Sequence, residues 1–252
     1  MSPPVSSLFA PDALDGHVVL LTGATGPIGR ATARVLAAAG GLLLLHYHAH
    51  PDLAEALRAE LAPAVLDLLP ADLAHPDAPA DLVAAASAIA PPTALVNAAA
   101  RFLPDTAPAA DLARMDVLNQ IVPAVLLELL AEQGTPFSVI NLLDARVVPP
   151  FSGPPPRSPY SAYLQTKRVL AASTIRDALR YAPRGIRVNG VAPGPVSLPA
   201  GTHAPAGPLP LAGTPRPTPA DIASAVLFLL ASPQITGQIL YVDSGQHLAL
   251  VP

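Results

Sequence analysis

Seven short apolar runs alternate with longer segments of helical period, and this alternation constrains the chain more than any other feature. "HVVLLTG" (17–23), "LLLLHYH" (42–48), "AVLDL" (64–68), "TALVNAA" (93–99), "FSVINLL" (137–143), "IRVNGVAPG" (186–194) and "GQILYVDSG" (237–245) read as strands. Segments 27–40, 51–62, 78–90, 111–134, 159–181 and 219–232 read as helices, the fourth kinked near Pro123. The strands are apolar on both sides, so both faces must be covered. That requirement predicts an α/β fold: one doubly wound domain of about seven parallel strands with helices on both faces. The domain is expected over 16–252, after an N-terminal tail at 1–15, with no internal repeat or linker.

Composition supports a large core: of 252 residues 51% are hydrophobic and 13% charged. The formal net charge of −4, with few and scattered basic residues, excludes a phosphate-backbone binder, so no nucleic-acid partner is expected. The absence of cysteine excludes disulfides, thiol catalysis and thiolate metal sites. No apolar stretch is long enough to span a bilayer, and the N-terminus lacks the pattern of a signal peptide. No membrane partner is therefore expected, and the expected location is cytoplasmic. The 33 prolines cluster at the N-terminus, at 147–159 and at 199–219, which marks these segments as loops.

Glycines 23, 26 and 29 lie between the first strand and the first helix. Backbone there can approach a pyrophosphate, whose charge is favoured at the positive end of a helix. At the tip of the second strand, "HYHAHPD" offers no acid to bond a ribose diol, which points to NADPH rather than NADH. His46, His48 and His50 alternate, so they share one side of an extended segment. One or two of them are expected to hold the phosphate or adenosine, with Arg30 assisting. No metal is expected, because a further ligand is missing.

"YLQTK" places Tyr163 and Lys167 four apart on one helix face. A phenol with a pKa of about 10 needs a nearby cation to act as an acid–base group, and Lys167 can supply it. Asp144 ends the fifth strand, in "NLLDARV". A carboxylate there can pair with the N–H groups of an amidine-like heterocycle, and it suits a C=N bond better than a ketone, whose developing oxyanion it repels. Aspartate also favours turns, which is the alternative role at this position.

Together these motifs resemble the short-chain dehydrogenase/reductase family, with a Rossmann-type fold, over residues 17 to 247. "SVINLLDARV", "LVNAAARF" and "HYHAH" are most similar to its pteridine reductase and dihydromonapterin reductase-type branch. The resemblance implies a catalytic set of Asp144, Tyr163, Lys167 and Asn119, the last passing the proton on through water. It implies cofactor contacts from Gly23, Thr25, Pro27, Ile28, His46, Tyr47, His48, Asp72, Leu73, Asn97, Ala98, Ala99, Lys167, Pro193, Gly194 and Val196. Phe102, Asp144 and Tyr163 would hold the substrate, with Phe102 stacking it against nicotinamide; packing at a strand exit is the alternative for Phe102. Three departures stand out. Gly26 and Pro27 replace basic residues of the glycine turn, an arginine after the second strand is missing, and a proline-rich insertion at about 147–159 lengthens the step from Asp144 to Tyr163. The family's substrate lid corresponds to about 195–219, here almost uncharged, and its closing strand implies a homotetramer.

The expected function is NAD(P)H-dependent reduction of a small molecule, by hydride transfer to a C=N bond in a pterin-like heterocycle or cyclic imine. A carbonyl or 3-oxoacyl reductase and a non-catalytic dinucleotide-binding sensor are the rivals.

Overall fold

Alternate residues of the first strand face opposite ways, and each set finds its own helices. The computed structural model describes residues 10–134, 137–149, 158–196 and 215–250. Strand β1 (Val18–Thr22) is followed by α1 (Pro27–Ala38), β2 (Leu42–Tyr47), α2 (Pro51–Leu61), β3 (Val65–Pro70), α3 (Ala78–Ile89) and β4 (Ala94–Asn97). Then come α4 (Ala109–Asp116), a π-helical segment (Val117–Ile121), α5 (Val122–Glu132), β5 (Ser138–Leu142), α6 (Ser161–Tyr181), β6 (Arg187–Pro193), α7 (Pro219–Ala231) and β7 (Ile239–Val242). Val19 and Leu21 pack with Leu36 of α1 and Val226 of α7, whereas Val18 and Leu20 pack with Leu82 of α3 and Leu126 of α5. The fully buried strands are near-continuous apolar runs for this reason.

All seven strands are parallel, in the order β3-β2-β1-β4-β5-β6-β7, so the predicted fold class is the observed one. The order reverses between β1 and β4. Ligands of such sheets bind outside the carboxyl ends of the strands at that reversal. One polar row runs across those ends in register: Thr22 lies beside Asn97, and Asn97 beside Asn141.

The predicted long helix at 111–134 is observed as three pieces. Pro123 has no N–H to give to the carbonyl of Asn119 four residues earlier, and the chain widens into the π segment just before it. The proline-rich residues 150–157 and most of the expected lid, 197–214, lie outside the described residues, as do 1–9 of the tail.

Candidate active site

The glycine turn separates two roles that the sequence pattern left merged. A Cβ on Gly23, whose φ is +69°, would stand 2.7 Å from the backbone of Ala99, and one on Gly29 would stand 2.2 Å from the carbonyl oxygen of Gly23. These two glycines let β1, α1 and the exit of β4 touch. Gly26 is different: its φ is −68° and a Cβ there would have its nearest neighbour at 3.5 Å. Gly26 caps α1, whose N-terminus has no side-chain cap and no acidic residue in its first turn. Its open N–H groups suit an anion. A cleft of about 340 Å³ opens beside this turn, lined by Gly23, Thr25, Gly26, His46, His48, Asp72, Leu73, Ala98 and Ala99 among others. The residues present therefore fit the phosphates and adenosine of a dinucleotide.

Of the residues expected at the cofactor, Pro27 and Ile28 form the first turn of α1, while Pro193, Gly194 and Val196 lie at the exit of β6. Tyr47, at the tip of β2, does not line the cleft. His46 borders the cleft with its ring engaged inside the sheet. It is 2% exposed, its Nδ1 accepts from the Gly23 N–H at 3.1 Å, and its Nε2 donates to the Ala71 carbonyl at 3.1 Å. Burial pushes its pKa down to about 4, so it is a neutral strut between β1, β2 and β3 rather than a cation for phosphate. His48 stays exposed, and His50 takes a left-handed conformation (φ 64°) at the start of α2. No cluster of three histidine or acidic groups able to hold a metal occurs among the described residues. Arg30 folds back onto the Thr25 carbonyl at 2.6 Å.

Asp72 lines the cleft but is engaged. Its carboxylate is bound by Arg114 of α4, accepts from the Ala74 N–H at 3.2 Å and lies 3.9 Å from His48. Asn97 is buried under the cleft. It donates to Asn141 at 2.9 Å, Asn141 donates to Thr174 of α6 at 3.0 Å, and the amides of Ala98 and Ala99 both donate to the hydroxyl of Thr22. Sequence reasoning missed Thr22, Asn141, Thr174 and Arg114, all of which act across elements.

On α6, Tyr163 and Lys167 are both buried, at 8% and 3% exposure. Lys167 donates to the Leu142 carbonyl at 2.7 Å, and burial lowers its pKa to about 8. Burial raises the pKa of Tyr163 well above 10, a charge interaction and hydrogen bond with Asp144 raise it further, and Arg146 partly opposes both. It is therefore a protonated phenol at neutral pH, with Lys167 Nζ 5.9 Å from its ring centre. Asn119 accepts from the Arg101 amide and donates to the Arg101 carbonyl, each at 2.9 Å, and reaches Thr166 at 3.1 Å. Its side chain thus fastens the loop after β4 to α6.

The group that sequence reasoning missed nearest the chemistry is Arg146. Its Nε and Nη2 fork onto Asp144 at 3.0 and 2.8 Å, while its own N–H donates to Asp144 at 2.9 Å. Asp144 therefore forms a turn, the alternative role, and also stands against Tyr163. The legible signal was the spacing Asp-x-Arg in a loop, where an aspartate bonds the backbone two residues on. Phe102 is 53% exposed, stacks on Tyr160 with ring centres 4.4 Å apart and meets Tyr163 edge-on at 4.7 Å. Between them the loop supplies Asp105, whose carboxylate accepts from the N–H groups of Ser161 (3.0 Å) and Ala162 (2.9 Å) and so caps α6 just before Tyr163.

A family model described as short chain dehydrogenase matches residues 17–125, and one described as Enoyl-(Acyl carrier protein) reductase matches 156–247. The chain is 32% identical over 90% of its length to an uncharacterized oxidoreductase, YmfI, of Bacillus subtilis, covering 98% of that protein. It is 31% identical to galactitol 2-dehydrogenase (L-tagatose-forming) of Cereibacter sphaeroides, over 92% of this chain and 95% of that one. It is 29% identical to pteridine reductase 1 of Leishmania tarentolae, over 92% and 96%.

Proposed function

Because the chain belongs to the short-chain dehydrogenase/reductase family, we propose that it is an NADPH-dependent reductase of the C=N bond of a pterin-like heterocycle or cyclic imine. The observation that carries this reading is the carboxylate of Asp144 held against the protonated phenol of Tyr163. A C=N nitrogen is basic, and its reactive form is the positively charged iminium, which a neighbouring carboxylate favours. Bound in the cleft, the reduced nicotinamide supplies hydride. Tyr163 holds a proton at its hydroxyl for the nitrogen, which suits the reductive direction, and positioned acid catalysis of this kind contributes roughly 10²–10⁴-fold. Lys167, fixed by the Leu142 carbonyl, presents a cation beside Tyr163, its Nζ 5.9 Å from the ring centre. A role for Asn119 in passing the proton on through water rests on the family resemblance.

NADPH is supported by the lack of an acid at the tip of β2 and by the guanidinium of Arg114, which lines the cleft together with the imidazole of His48. A homotetramer is proposed on family resemblance, and sedimentation velocity tests it. Among the described residues no helix is long and apolar enough to cross a membrane.

The second reading, a carbonyl or 3-oxoacyl reductase, is favoured by Arg146, which counters the charge of Asp144 and so weakens its objection to an oxyanion. Steady-state assays with dihydropterins, cyclic imines and ketones decide between them: turnover of a C=N substrate is expected, and turnover of ketones alone overturns the first reading. NADPH binding in a fluorescence titration, without turnover of any of these substrates, would favour the non-catalytic sensor.

A further inference from the structure

Arginine has five N–H donors, and Asp144 takes one edge of the guanidinium, Nε with Nη2. The other edge, Nη1 with the second hydrogen of Nη2, meets no acceptor among the described residues. That edge belongs to a side chain about one-third exposed, with Cζ 5.9 Å from the ring centres of both Phe102 and Tyr163. A half-buried, planar donor fork therefore stands beside the aromatic pair and the proton donor. Bidentate acceptance by such a fork is what a carboxylate does best.

We infer that the substrate carries a carboxylate close to its C=N bond, and that Arg146 recognises it. The inference rests on the C=N reading and narrows it. The charges agree. A cyclic imino acid in its reactive form is a zwitterion, positive at nitrogen and negative at the carboxylate. The site presents the complementary pair two residues apart, Asp144 for the iminium and Arg146 for the carboxylate. The arginine is held by Asp144 before substrate arrives, so little side-chain freedom is lost on binding. A neutral imine would leave the same fork to water. The reaction balances without further partners but solvent: hydride from a bound reduced nicotinamide would join the imine carbon, and the C=N π pair would become the nitrogen lone pair of an amine that keeps the iminium proton. Where the imine arrives neutral, Tyr163 supplies that proton and regains one from water, and the oxidised nicotinamide leaves.

The test compares 1-pyrroline-2-carboxylate with 2-methyl-1-pyrroline, which replaces the carboxylate by methyl. The quantity read is the ratio of their kcat/KM values. Wild-type protein is expected to favour the carboxylate, and Arg146→Gln is expected to lower the ratio roughly 10- to 100-fold, the effect of a charged hydrogen-bonded contact. Arg146→Lys, which keeps charge but not the fork, should fall between them. A wild-type ratio near one, or an equal loss on both substrates in Arg146→Gln, overturns the inference and leaves Arg146 as a support for Asp144. A second readout is independent of turnover: calorimetric binding of pyrrole-2-carboxylate against pyrrole to the NADP-bound protein. If ketones but neither imine are reduced, the C=N reading fails. The calorimetry then still decides Arg146: selective binding of pyrrole-2-carboxylate that Arg146→Gln abolishes upholds the carboxylate contact, and equal binding of the two overturns it.

Discussion

Both ring nitrogens of His46 are engaged inside the sheet, and this dictates how the protein meets acid. Its pKa is about 4 when folded, against the ordinary 6.5 of a solvated imidazole, so between those values the unfolded chain takes up a proton that the folded chain refuses. Stability from this group is complete above pH 6.5 and is lost as pH falls toward 4, by on the order of 3 kcal/mol. Thermal melts from pH 7 to 4.5 should show this loss, and His46→Gln should flatten it. Lys167 gives the opposite limit. Its charge is lost around pH 8, while Tyr163 keeps its proton well above pH 10, so the rate of reduction should fall above about pH 8. A profile flat to pH 10 would show that the lysine charge has no part in turnover. At Asp144, replacement by serine should cost imine turnover about 10- to 100-fold and ketone turnover less; equal losses would mark the residue as a turn former alone.

At the scale of elements, the glycine turn yields a separable test. Gly29→Ala forces a Cβ into the Gly23 carbonyl and should destabilise the fold, whereas Gly26→Ala finds room and an allowed backbone. Gly26→Ala should therefore melt like wild type yet bind NADPH at least about tenfold more weakly, read by fluorescence titration. An unchanged affinity would show that phosphate does not approach this residue. The turn was legible in the sequence because strand, glycines and helix are contiguous, and Tyr163 with Lys167 was legible because helical period places them together. Arg114 with Asp72 was not, since they are 42 positions apart and meet only when α4 comes against the turn after β3. The Asn97–Asn141–Thr174 chain likewise needs the register of β4 on β5, which apolar patterning does not specify. The π segment needed more than Pro123: a kink follows from the missing N–H, but its form depends on how α5 packs.

For the whole molecule, the cleft at the strand reversal joins β1, β2, β3 and β4, so a ligand there bridges elements that unfolding separates. At a concentration near 100 times its Kd, NADPH should stabilise the fold by about 2.7 kcal/mol, which for a chain of this size is roughly 5–10 °C in Tm. NADH at equal concentration should give a smaller rise, and equal rises would remove the preference for NADPH. That the seven strands are parallel followed from alternation, but their order did not, because the rule of right-handed crossovers fixes the hand of each connection and not the place where the sheet reverses.

The cap that Asp105 places on α6 makes two backbone amides a clock for a distant loop. Ser161 and Ala162 give their hydrogens to a carboxylate 56 and 57 residues earlier, so their exchange with heavy water proceeds only when the loop bearing Phe102 lets go. Deuterium uptake at those two positions would then time the opening of the aromatic wall, with no label on the wall itself. In Asp105→Ala the clock should run fast, whether or not substrate is present.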